Sequence, residues 1–296
     1  RQRQALEHAL AERTADPVPV RVVAGEEGYV SGEESAVVHE LGGGRAIPTF
    51  VPPRPYERGY RGRPTLVQNV ETLAQLALIG RFGPDWFREL GTVADPGTAL
   101  VTISGAVAEP GVYELAFGTP MRDLLAAAGG ASEPLQALLV GGYFGTWVPA
   151  GPALELRLAR EDLRSIGGAL GSGVLIALGT GACGLRESAR VIDYLARQSA
   201  GQCGPCVFGL RAIADGVAAL AAGRAPAGEG RRVRAWAADV RGRGACHHPD
   251  GAVRFVQSAL SVFAEEIDRH RQGTCRGRPV DLPIGAEAEL STRSRP

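Results

Sequence analysis

From Leu185 onward the chain reads as four amphipathic segments joined by short connections: LRESARVIDYLARQ, VFGLRAIADGVAALAA, RRVRAWAADVRGR and AVRFVQSALSVFAEEIDRHR. The last is the clearest, with Val253, Val256, Leu260, Phe263 and Ile267 at alternating three- and four-residue spacing. Each apolar stripe needs another to bury it, and short connections make neighbours antiparallel. The spacing therefore predicts a four-helix bundle over 183–275. In an up-down bundle the first and third connections lie at the same end. The first holds Gln202-Cys203-Gly204-Pro205-Cys206 and the third holds Cys246, so the topology allows Cys203, Cys206 and Cys246 to meet.

Residues 98–150 read as a different unit. ALVTISGAV alternates as a strand, Glu109-Pro110-Gly111 turns the chain, and VYEL returns as a second strand. Thr119 caps the helix MRDLLAAA, with Pro120 at its first position and Gly129-Gly130 as its stop. LQALLVGGY is a third strand. Hairpin, helix and strand in so short a span predict a β-grasp module, and GSGVLIALGTGA adds a short buried strand. Before this unit, residues 4–14 have helical spacing and Val18–Val23 are strand-like. YVSGEESAVVHEL is a loop feeding a helix, and 42–64 form a Gly/Pro/Arg-rich ordered loop. PTLVQNVETLAQLALIGRFG gives another helix, broken by Gly83-Pro84. Beyond Cys275 the periodicity ends, and 276–296 are expected to be a disordered tail. The fold class is α/β plus α, with boundaries at 1–97, 98–182, 183–275 and 276–296.

The 32 basic residues balance the 32 acidic ones. Nucleic acids and anionic membranes require a basic field, so neither is expected as a partner. No apolar run reaches the roughly 20 residues of a membrane helix, and the charged opening RQRQALEHALAERTADP is unlike a signal peptide. Direct membrane insertion is not expected, and a cytoplasmic location is. Lysine is absent, which excludes Schiff-base chemistry and a P-loop lysine. The chain opens on Arg1 rather than Met, as a trimmed chain or a fragment does.

Five cysteines cannot all pair, and in a reducing compartment thiols more often serve metals or chemistry. The two-residue spacing of Cys203 and Cys206 lets both thiolates reach one metal site, at a helix N-terminus that favours their charge. A thioredoxin-type dithiol would need a βαβ context that is missing. Zinc on three cysteines and His247 or His248 is one reading. An iron–sulfur cluster, which usually takes four thiolates, is another. A vestigial site is the third, and Cys183 and Cys275 read as bystanders.

The run Ser199-Ala200-Gly201-Gln202-Cys203-Gly204-Pro205-Cys206, with Cys246 beyond, resembles the cluster-binding region of the flavin-bearing, NADH-oxidising component of respiratory complex I and its family. Soluble relatives occur in bidirectional hydrogenases and NAD-linked formate dehydrogenases. The family pattern is Glu-Ser-Cys-Gly-x-Cys-x-Pro-Cys with a fourth Cys further on, and it holds [4Fe–4S]. Here Ala200 replaces the first cysteine and Gln198 the Glu. The resemblance implies Cys203, Cys206 and Cys246 as metal ligands. It leaves the fourth position to Cys183, Cys275, His247, His248 or no protein group. A helix near 20 Å long separates Cys183 from Ala200, and Cys275 has the same distance problem.

Upstream, Tyr29-Val30-Ser31-Gly32-Glu33-Glu34-Ser35-Ala36 resembles the family's Tyr-x-x-Gly-Glu-Glu-Thr/Ser-Ala, which lines the flavin and nicotinamide. Pro64-Thr65-Leu66-Val67-Gln68-Asn69-Val70-Glu71-Thr72 resembles Pro-Thr-x-x-Asn-Asn-Val-Glu-Thr, which contacts FMN. The implied cofactor-binding residues are Tyr29, Gly32, Glu33, Glu34, Gln68 and Asn69. Apart from the resemblance, Glu33 and Glu34 read as helix N-terminal charges and Asn69 as a cap. The family's Gly-rich phosphate loop and Lys-containing flavin segment have no counterpart before Arg21. Residues 98–150 resemble the SLBB module, notably at Ser104-Gly105-Ala106-Val107 and Pro110-Gly111-Val112-Tyr113-Glu114. That module also occurs in polysaccharide-export proteins.

The resemblance implies an electron-transfer component of an NADH-dependent oxidoreductase. Its cofactors would be a [4Fe–4S] cluster and FMN, with NADH as substrate and a ferredoxin-like or other iron–sulfur protein as redox partner. Residues 1–97 would be the C-terminal part of the flavin domain. No catalytic residue is assigned. The alternative is a non-catalytic SLBB ligand-binding or scaffold protein with a degenerate or zinc-occupied cysteine site.

Overall fold

A computed structural model of the chain describes residues 2–14, 17–280 and 282–284. It divides into two compact units, Arg1–Val67 and Gln68–Pro296. The first carries α1 (Gln2–Ala11) and α2 (Glu34–Leu41). Val18–Val23, expected as a strand, is coil, and Val18, Val20 and Val23 are more than half exposed. A strand needs a ladder partner for its N–H and C=O groups, and none is found for this segment among the described residues. α2 starts where Glu33 caps it. The Glu33 carboxylate accepts from the Ser35 and Ala36 N–H groups at 2.9 and 3.2 Å and from the Ser35 hydroxyl. Ser35 Oγ accepts in turn from the Thr49 N–H at 2.9 Å, which ties the long loop to the helix.

The second unit opens with α3 (Val70–Phe82) and α4 (Pro84–Arg88), separated at Gly83. The Glu71 carboxylate accepts from the Leu100 N–H at 2.8 Å, and Gln75 Nε2 donates to Thr98 Oγ1 at 3.4 Å. These bonds join α3 to the sheet that follows it, within the second compact unit. The sheet comprises β1 (Thr98–Gly105), β2 (Gly111–Ala116), β3 (Leu135–Val140), β4 (Thr146–Pro149) and β5 (Val174–Gly179). Helix α5 (Met121–Ala127) precedes β3, and α6 (Ala150–Glu155) and α7 (Arg160–Ser165) follow β4. The strand order is β2-β1-β5-β3-β4, with β1 and β5 parallel and the other pairs antiparallel.

The alternation in β1 turns Ala99, Val101 and Ile103 inward. Val101 and Ile103 join Met121, Leu124, Leu138, Val140 and Leu175 in one apolar core. Each large side chain buried there contributes roughly 1.5–3 kcal/mol. Gly105 takes φ 85°, and a Cβ there would overlap the Ala177 carbonyl of the neighbouring strand. Pro120 occupies the cap position of α5, so the helix starts one residue later than the sequence suggests.

The helical region contains α8 (Gly184–Arg197), a π-helical turn over Pro205–Leu210 leading into α9 (Arg211–Ala221), α10 (Glu229–Val240), α11 (His248–Val262) and α12 (Ala264–Arg271). α8 packs on α9, α9 on α10, α10 on α11, and α11 returns to α8. The last segment, expected as one helix, breaks at Phe263. The Phe263 ring packs edge-on to Trp147, 5.2 Å between centroids, and over Gly184, where a Cβ would overlap it. The Trp147 backbone N–H donates to Ser258 Oγ at 3.0 Å, so β4 fastens α11 to the sheet.

The expected disorder from 276 does not hold for the residues described there. Arg278 pairs with Ala182, and Leu282 is buried. The Val280 and Leu282 N–H groups donate to the buried Glu187 carboxylate at 3.1 and 3.0 Å, and Arg190 pairs with it at 2.8 Å. A buried carboxylate needs such partners, so this segment completes α8. Asp281 and 285–296 lie outside the described residues. No helix among the described residues is long and apolar enough to cross a membrane.

Candidate metal centre

The Cys-x-x-Cys segment winds into the π-helical turn. The Cys206 and Val207 N–H groups donate to the Cys203 carbonyl at 3.1 and 3.0 Å. Pro205 sits at the first helical position, where a missing N–H costs nothing. π-Turns are uncommon and frequently mark functional sites. Cys206 is buried, and Cys203 and Cys246 are half-buried. Burial raises the Cys206 pKa most, followed by its neighbours Cys203, Cys246 and Asp250. The fold thus brings the three predicted thiols together at one end of α8. A thiol that resists ionisation alone becomes a thiolate beside a metal ion.

Among the described residues, the group whose ligand atoms all lie within 4.8 Å of one another is Cys183, His270 and Cys275. Cys203, Cys206 and Cys246 are more spread. A tetrahedral zinc with Zn–S near 2.3 Å holds its sulfurs roughly 3.8 Å apart. A cluster presents several irons to thiolates and accommodates wider spacing. Three soft thiolates suit an iron–sulfur cluster.

The fourth position narrows. Cys183 is the N-cap of α8, and the helix runs 14 residues before the loop that carries Ala200, about 21 Å at 1.5 Å per residue. Cys275 Sγ lies 3.7 Å from Cys183 Sγ, so it is equally remote. His248 is buried, with Nε2 2.8 Å from the Leu195 carbonyl and its ring edge-on to Phe144 at 5.5 Å. Burial lowers its pKa and keeps it neutral in this packing role. His247 is exposed and faces Asp250 at 3.6 Å. Asp250 itself escapes the sequence reading. It sits in the first turn of α11, four residues after Cys246, and its carboxylate accepts from the Gly242 N–H at 2.7 Å. That spacing is the signal that could have found it.

The expected flavin residues divide between the two units. Tyr29 is half-buried and Gly32 exposed. The Glu33 carboxylate is taken up by the α2 cap, as a helix N-terminal charge. Glu34 Oε1 lies 3.7 Å from the Arg54 guanidinium. Gln68 and Asn69 are exposed where the second unit begins, and Asn69 occupies the α3 cap position without a side-chain cap bond. The first unit has a cleft of about 370 Å³ lined by His39, Gly42–Gly44, Arg58 and Arg61 among others, but by none of Tyr29, Gly32, Glu33 and Glu34.

Residues 186–270 match the family model of the NADH-ubiquinone oxidoreductase-F iron-sulfur binding region, and residues 100–142 match the SLBB domain. The second F component of the NADH-quinone oxidoreductase of Rhizobium meliloti (strain 1021) is 32% identical over 254 residues, covering 85% of this chain and 60% of that protein. The alpha component of the NAD-reducing hydrogenase HoxS of Cupriavidus necator is 32% identical over 95% of this chain and 46% of its own length. The crystal structure of NAD+-reducing [NiFe]-hydrogenase in the H2-reduced state superposes with a TM-score of 0.81 at 30% identity, over 98% of this chain and 49% of that one. The chain spans about half the length of such relatives. Over the residues it spans, the chain is similar to the F components of NADH-quinone oxidoreductases, and it carries an NADH-ubiquinone oxidoreductase-F iron-sulfur binding region and an SLBB domain.

Proposed function

We propose that this chain is an electron-transfer component of an NADH-dependent oxidoreductase. One observation carries the reading: thiols from two separate helix connections, Cys203 and Cys206 in one and Cys246 in the other, converge around the buried Cys206. A [4Fe–4S] cluster held by these thiols would supply one-electron transfer, and FMN would accept hydride from NADH. The chain's own part is to bury Cys206, leave Cys203 and Cys246 reachable, and present an outlet. Phe208, 74% exposed, and Val207, 41% exposed, flank Cys206 on the π-helical turn. An apolar patch beside a redox centre suits docking of a ferredoxin-like or other iron–sulfur protein. Tyr29, Gly32, Glu33, Glu34, Gln68 and Asn69 are the residues we assign to the flavin and nicotinamide side, and Glu33 also caps α2. We read 98–150 as the β-grasp form of the SLBB domain, 183–275 as a four-helix bundle, and the cytoplasm as the location.

Ala200 favours a second reading, a non-catalytic SLBB scaffold with a decayed cysteine site. Anaerobic purification separates the two. The first reading predicts a brown protein whose visible absorbance bleaches with dithionite and is lost in Cys203→Ser with the fold retained. A colourless wild type without iron or acid-labile sulfide supports the scaffold.

A further inference from the structure

The other end of α8 holds a second cluster of metal-ligating side chains, which the electron-transfer reading does not use. Cys183 caps the helix and is fully buried. The last turn of α12 delivers His270, with Nε2 3.1 Å from Cys183 Sγ. The chain then turns back and places Cys275 Sγ 3.7 Å from Cys183 Sγ. All three ligand atoms lie within 4.8 Å of one another. Three soft or borderline donors from separated parts of the chain, two of them buried, are rarely assembled by chance around nothing.

We propose that Cys183, His270 and Cys275 bind a zinc ion through three protein ligands, with an open fourth position. Tetrahedral zinc with Zn–S near 2.3 Å and Zn–N near 2.0–2.1 Å has ligand–ligand edges of roughly 3.5–3.8 Å. The 3.7 Å sulfur pair matches such an edge, and the 3.1 Å sulfur–nitrogen pair needs to open only slightly. An S–S bond of about 2.05 Å would require the sulfurs to close by much more. The half-buried Cys275 marks the solvent side, where water takes the fourth position. Zn2+ and two thiolates leave no net charge, with both thiol protons released on binding.

The surroundings support the site. The Glu266 carboxylate sits 3.3 Å from Cys183 Sγ and accepts from the Gly184 and Leu185 N–H groups at 3.3 and 2.8 Å. Those bonds fix Cys183 at the helix start. Arg186 faces His270 and donates to the Gly277 carbonyl at 3.2 Å, which offsets the Glu266 charge and holds the loop of Cys275. The Cys183 N–H donates to the Arg278 carbonyl at 3.0 Å. A zinc ion here would therefore pin the segment from Cys275 to Leu282 against α8.

The test is elemental analysis of the full chain purified anaerobically with a phosphine reductant, zinc and iron being measured on each sample. One zinc per chain is expected in the wild type. Cys275→Ser and His270→Gln should each lower zinc affinity at least about tenfold, with iron unchanged. Cys206→Ser should do the reverse, so failure of this site and failure of the cluster reading are distinguishable. Co2+ loaded into the zinc-free wild type should give thiolate charge-transfer absorption, a readout that needs no variant to fold. No zinc after anaerobic zinc loading, zinc retained in both variants, or a Cys183–Cys275 disulfide in the reduced preparation would each overturn the assignment.

Discussion

The two ends of α8 carry two thiol groups built on opposite plans. At its C-terminal end the thiols come from loops, spread around the buried Cys206 and partly open to solvent, with exposed Phe208 beside them. At its N-terminal end Cys183 and His270 are buried, Cys275 closes in, and Glu266 and Arg186 surround them. The first leaves Cys203 and Cys246 half-buried, within reach of a partner, as the proposed electron transfer requires. The second is spaced for one ion and faces inward, as a clamp requires.

The largest expected effect comes from Cys206→Ser, which should remove essentially all bound iron while zinc stays, as elemental analysis reads. Loss of both metals would erase the distinction between the ends. Next is Gly184→Ala. A Cβ there meets the Phe263 ring, and overpacking of this kind costs about 1–3 kcal/mol. Urea denaturation should show that loss with iron content unchanged, because the perturbation sits at the zinc end. Ala200→Cys should work the other way. It restores a fourth thiolate to the open end, and the visible absorbance should survive air exposure several-fold longer than in the wild type.

The smallest effect is a pH dependence. The Tyr143 hydroxyl donates to the Pro283 carbonyl at 2.6 Å, and burial pushes its pKa from 10.0 up to about 12. The folded state holds this proton more tightly than the unfolded chain. The stabilisation is therefore complete below pH 10 and is lost as pH rises through about 12. Thermal denaturation should show a steeper decline over that window in the wild type than in Tyr143→Phe. Equal slopes would mean that this hydroxyl does not hold the segment following Cys275.

Much of this is legible in the sequence, and the failures have physical causes. Strand alternation in Ala99, Val101 and Ile103 and helical spacing in α8, α9 and α10 reflect one buried face, which periodicity reports. β4 escapes that test because Thr146–Val148 are all buried, leaving no alternation to read. Val18–Val23 has strand composition without a ladder. The convergence of Cys203, Cys206 and Cys246 follows from helix order alone. Cys183 and Cys275 are remote from that group, as the length of α8 implies. Their meeting with each other depends on the break at Phe263 and the return of the chain after α12, which no local pattern announces.

The central claim, that the outward-facing thiols hold an iron–sulfur cluster, is tested most directly by X-ray absorption at the iron edge on the anaerobically purified chain. The account predicts sulfur neighbours and an additional iron–iron shell in the wild type, and the loss of both in Cys206→Ser. Iron surrounded only by oxygen and nitrogen, or a spectrum unchanged by that substitution, would contradict it.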